Sequence, residues 1–149
     1  MQHLLLSVHV LAGIVFIGGS AIATSLFTRY APIAADSAES ASPERSRAVA
    51  VALHRITGAY IAPGVIVPIA GIALAAVQHR LGEVWITVAM ALTGIAAGLL
   101  VILIHPIQRE VLDRLADARR LRTLSMLAGV YNLLWAVVVV LMIVRPGAR

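Results

Sequence analysis

Four apolar stretches free of charge, joined by links that hold most of the arginines, divide the 149-residue chain. No Asp, Glu, Lys or Arg occurs before Arg29, between Ile56 and Val77, between Val84 and Ile104, or between Thr123 and Val144. A hydrocarbon core about 30 Å thick, crossed at about 1.5 Å per residue, calls for about 20 apolar residues. Each stretch meets that length, which predicts spans over 3–28, 49–77, 84–104 and 123–144. Closed β-barrels also cross membranes, but their strands alternate in polarity, and runs such as Leu99 to Ile104 or Ala136 to Ile143 do not. The expected fold class is therefore all-α, an integral membrane four-helix bundle. Residues 1–149 form one membrane domain, with no room for a separate soluble module.

The links carry patterns of their own. Ala31 to Ala41 reads as a linker of small and polar residues, and Ser42-Pro43-Glu44 as a helix start: a serine cap, proline at the first position and an acid at the positive dipole end. Gln78 to Glu83 is short enough to be a tight turn. Beyond His105-Pro106, Ile107, Val111, Leu115 and Ala118 share one helical face, while Glu110 and Arg114 form an i,i+4 pair on the other. That pattern predicts a short amphipathic cytoplasmic helix between helices 3 and 4, lying along the inner leaflet. A solvated connector is its commoner use.

Charge orients the bundle. All 12 basic residues are arginines, nine of them in or beside the first and third links. Only Arg80, Arg145 and Arg149 lie elsewhere. The positive-inside rule then puts links one and three in the cytoplasm and both termini outside. A basic balance that borders apolar spans points to the lipid bilayer as partner and gives no nucleic-acid role. Cysteine is absent, which removes disulfides, thiolate metal sites and thiol nucleophiles. Ala21-Ile22-Ala23 imitates a signal cleavage site, but the chain lacks a basic n-region and its apolar run is too long, so the first helix is expected to be retained.

Polar and helix-breaking residues within the spans are few. Pro63-Gly64 and Pro68 predict a kink in the second helix, a feature that lines cavities in transporters and is also widely tolerated as architecture. Gly94 to Gly98 on the third helix, with Gly19 and Ala23 on the first, has the spacing of close helix contacts within the bundle or in a dimer. His9 and His54 are the candidates for chemistry, since imidazoles at such depth are costly and tend to be functional. Each precedes a glycine by four residues, Gly13 and Gly58, and a glycine one turn from an imidazole leaves room for a flat porphyrin on the helix. Haem b is the cofactor this suggests. Antiparallel helices put His9 level with Gly71, roughly 17 residues or about 25 Å from His54, so the two cannot share one iron. His54 has His105 or Met126 as partners in its half, and His9 has His79, His3 or Met90. The competing reading gives His9 a hydrogen bond to Ser7, a carbonyl or Asn132.

The His3 to Gly19 stretch, the arginine-rich third link and the closing Val144-Arg145-Pro146 resemble a bacterial family of small four-span integral membrane proteins without assigned function. More distantly, the His9 helix is similar to the copper-resistance D membrane domains and the four-span membrane protoporphyrinogen oxidase. His9 matches the first-helix histidine of the latter family, but Leu4-Leu5-Leu6-Ser7-Val8 stands where the oxidase has tryptophan and lysine. The resemblance implies a haem-capable scaffold in a bacterial cytoplasmic membrane and leaves the reaction open. Three functions follow: haem binding for electron transfer or haem handling, a non-catalytic accessory subunit that meets other membrane subunits or a second copy, and a small-molecule or ion carrier. A carrier lacks the intramembrane charge it needs, and no paired carboxylates or base-linked nucleophile within the spans support a hydrolase.

Overall fold

The structure, a computed structural model, describes residues 2–32, 46–114 and 117–147. Four helices are long and apolar enough to cross a membrane: α1 (His3–Tyr30), α2 (Arg47–Val77), α3 (Val84–Asp113) and α4 (Ala118–Val144). The chain is a multi-span, all-helical membrane bundle. Helices α1 and α2 pack along each other antiparallel, Gln2–Ala12 against Ile66–Val77 and Gly18–Tyr30 against Arg47–Gly64. Helix α4 closes on α3 and on the second half of α1, while the last turns of α3 return to the start of α2.

Three of the four helices depart from regular α geometry. Helix α1 widens into a π turn at Gly13–Ile17 and α3 at Leu99–Ile104. Helix α2 breaks at Val65, whose amide donates to Ala62 O at 3.2 Å, so the kink expected from Pro63 and Pro68 is present. Helix α4 starts on Asp117, whose carboxylate accepts the Arg120 amide at 2.8 Å, and ends at Arg145 in the left-handed region, φ 46°, just before Pro146.

The two ends of the bundle are packed differently. At the end bearing links one and three, here the arginine-rich end, Phe27, Ala50, Ile104, Val111 and Leu124 form a closed core from all four helices. At the opposite, turn end the buried positions are mostly small: Ala12, Ala70, Ala75 and Ala89, with Ile86 and Val138. There the first segment of α1 rests on α2, and Leu4, Leu6, Val8, Val10 and Leu11 face outward. Lipid tails are as apolar as these side chains, so no hydrophobic force drives them inward; helix contact depends on close packing and hydrogen bonds.

Several expectations are corrected. No separate amphipathic helix lies between the third and fourth spans among the described residues. Instead α3 continues past Ile104 and through Pro106 to Asp113. The π turn just before Pro106 changes the backbone register where the missing amide would otherwise break the helix. The apolar face read from Ile107 and Val111 is real, but it packs on the bundle core, where Val111 is buried, and not on a leaflet. Glu110 pairs with Arg120 across the third link, not with Arg114, and Arg109 takes Asp113 at 3.9 Å. The Gln78 to Glu83 turn is as tight as expected, its Arg80 bonded to Glu83 at 3.6 Å. The first linker beyond Pro32 and the Ser42-Pro43-Glu44 start lie outside the described residues, as does Leu115.

Candidate functional site

Two histidine sites form, one near each end, and both use a glycine on a facing helix. At the arginine-rich end His54 of α2 and His105 of α3 stack, with ring centroids 4.4 Å apart and planes 19° from parallel. Gly58 makes the stack fit: a methyl group there would lie 2.9 Å from His105 Nε2. One turn beyond His105, the wholly buried Gln108 faces His54. With the amide oxygen toward the ring, His54 Nδ1–H donates to Gln108 Oε1 at 3.3 Å, near the long limit of a hydrogen bond. Gln108 Nε2, also buried, has no partner among the described residues. One turn further, Arg47 of α2 donates to the Leu112 carbonyl at 3.0 Å and ties the two helices at the rim.

At the turn end His9 of α1 lies against Gly71 of α2, where a methyl group would come within 2.9 Å of His9 Cε1. The depth argument that set His9 level with Gly71 is thus borne out. His9 Nδ1 sits 2.9 Å from the Val67 carbonyl. A carbonyl only accepts, so Nδ1 carries a proton, which in the uncharged tautomer leaves the lone pair on Nε2. Of the three hydrogen bonds weighed for His9, the carbonyl is the one formed. The Ser7 hydroxyl donates to His3 O, and Asn132 Nδ2 donates to Ser25 Oγ.

Between these sites the bundle is held by a few polar contacts. Ser20 and Tyr131 share a buried hydrogen bond of 2.7 Å, and the Tyr60 ring fills the notch at Gly19. Of the proposed partners, the structure brings His105 to His54. His3 and His79 are exposed, the latter in the turn with φ 55°, while Met90 and Met126 point outward from their helices. Sequence reasoning missed Gln108, Ser20, Tyr131 and the Asp117 cap. A Gln three residues after an intramembrane histidine was a usable signal, because amides buried in a span need a partner on another helix.

The arrangement constrains chemistry. No group of three or more His, Asp or Glu converges among the described residues. The porphyrin seat expected beside Gly58 is filled by the His105 imidazole, and rings stacked this closely leave no gap for a macrocycle between them. Gly13 has open space, but His9 turns instead to Gly71. Comparison with protein-family models, curated proteins and solved structures finds no match to this chain.

Proposed function

We propose that the protein is a non-catalytic assembly subunit of a bacterial cytoplasmic membrane, its arginine-rich end inward, joined to a further transmembrane helix through the glycine seam of α3. One observation carries this reading. Ala96 is wholly buried in the bundle, whereas methyl groups built at Gly94 and Gly98 meet nothing within 4 Å. The small-xxx-small pair therefore meets no other helix among the described residues, unlike Gly19, and a second helix could approach its backbone closely. The test is native mass spectrometry of gently solubilised membranes. A species heavier than 15.7 kDa is expected, and Gly94→Leu with Gly98→Leu should reduce it to the monomer. A wild-type monomer or homodimer alone would sink the proposal.

Haem b is kept as a second reading, now on His9 alone. Its Nδ1–H is fixed on the Val67 carbonyl, and such an outer hydrogen bond is what orients metal-ligating imidazoles. His9 would supply one axial nitrogen, and haem would supply one-electron exchange. An absorption spectrum of protein expressed with ample haem should show a Soret band that His9→Ala removes and His54→Ala leaves. Absence of the band from wild type rejects this reading.

A further inference from the structure

The polar seam between α2 and α3 is short of an acceptor. Gln108 carries two amide hydrogens on Nε2, is 0% exposed and meets no acceptor among the described residues. An unpaired buried donor costs free energy, more so where no water competes to satisfy it, and such a group in a folded protein marks a missing partner. Three features show that the seam is built. The π turn at Leu99–Ile104 ends at His105 and sets the phase from which His105 and Gln108 face α2. Gly58 opens the notch for the His105 ring, and the half-buried His54 and His105 stand beside the amide. Wide turns of this kind are frequent at functional sites.

We propose that this seam binds a neutral carbonyl group carried on a lipid-soluble body, with the Gln108 amide as donor. Gln108 lies one turn, about 6 Å at helical rise, from the Leu112 carbonyl that Arg47 holds at the rim, which matches the headgroup and ester layer of about 5–7 Å on each side of the hydrocarbon core. A neutral acceptor suits it better than an anion. The donor is an uncharged amide in an apolar core, where an ion would lose its hydration, and Arg47 is engaged with the Leu112 carbonyl. Access runs through the imidazole pair, since the His54–Gln108 bond at 3.3 Å is weak enough to yield. Two sources carry this chemistry, a phospholipid ester and a quinone. The proposal does not depend on the assembly or haem readings.

The experiment compares thermal unfolding of the full chain in nanodiscs of diester lipids with that in diether lipids of the same headgroup and chain length, which lack the carbonyl. If the ester is the ligand, wild type melts higher in diester discs by on the order of 2–4 °C. If the quinone is the ligand, the two discs give equal midpoints and decylubiquinone added to diether discs raises the midpoint saturably. Gln108→Met, which fills the same space without donors, should abolish whichever effect is seen. An effect of equal size in Gln108→Met overturns the proposal. So does a wild type indifferent to ester lipid and to decylubiquinone alike, a comparison that needs no variant to fold. In that case water alone serves the amide.

Discussion

The two ends of this bundle use one device to different effect. At each, an imidazole from one helix lies on a glycine of another: His9 on Gly71 at the turn end and His105 on Gly58 at the arginine-rich end. The His9 contact is self-sufficient, because its ring finds the Val67 carbonyl. The His105 contact is not: it adds a second imidazole and an amide whose nitrogen has no partner. The surroundings differ in the same sense. A closed core of large side chains lies beside the half-buried stacked pair, whereas alanines, Val67 and an outward-facing α1 mark the end that holds His9. A polar contact between two helices can fasten a loosely packed end, but a dense core that also holds an unsatisfied group is built around something else.

The largest effect is expected at Gly58. Gly58→Leu places side-chain atoms where His105 Nε2 now lies, and the closed core around Ile104 and Val111 limits where the half-buried ring can move. Overpacking of this kind costs about 1–3 kcal/mol. Unfolding of the purified protein by a denaturing detergent should show it as a loss of stability, and the α2–α3 contact should loosen. An unchanged midpoint would mean that the stack is incidental and that the two ends do not differ in rigidity.

The architecture was legible in the chain because bilayer thickness fixes span length, and the charge-free runs are unmistakable on that scale. The kink at Pro63 to Pro68, the turn at Gln78 and the level of His9 with Gly71 follow from backbone chemistry and antiparallel geometry alone. What failed depends on helix phase. Ile107 and Val111 share a face in any helix, but which neighbour they meet depends on whether α3 stops at Pro106 or passes through it. The π turn that lets it pass leaves no clear mark in the Leu99 to Ile104 sequence. The glycines were legible in part: spacing predicted close approach at Gly19, Gly94 and Gly98, and the structure shows it at Gly19 but otherwise at Gly58 and Gly71. Gln108 escaped notice because it lay in what read as a cytoplasmic connector.

A smaller effect, and a direct measure of the turn-end contact, comes from Gly71→Ala. The added methyl group would sit 2.9 Å from His9 Cε1, and because α1 is held there mainly by α2, it can shift outward and absorb part of the strain. A loss of about 1 kcal/mol is expected, at the low end of overpacking costs. A double-mutant cycle with His9→Ala separates the ring from the backbone, since the methyl group has nothing to strike once the imidazole is gone. Additive losses would show that Gly71 matters for reasons other than His9.

The smallest effect tests whether charge at the arginine-rich rim contributes to the rigidity of that end. Glu110 on α3 meets Arg120 on α4, both about half exposed at 49% and 48%. Exposed ion pairs are typically worth about 0.2–1 kcal/mol and are screened by salt. Arg120 also has its backbone amide held by Asp117, so the helix start survives loss of the pair. Glu110→Gln should therefore lower stability by no more than about 0.5 kcal/mol at low salt, with the difference vanishing at high salt. A larger, salt-independent loss would mean that the link between α3 and α4, and not the core around Phe27 and Leu124, is what makes the arginine-rich end the firmer of the two.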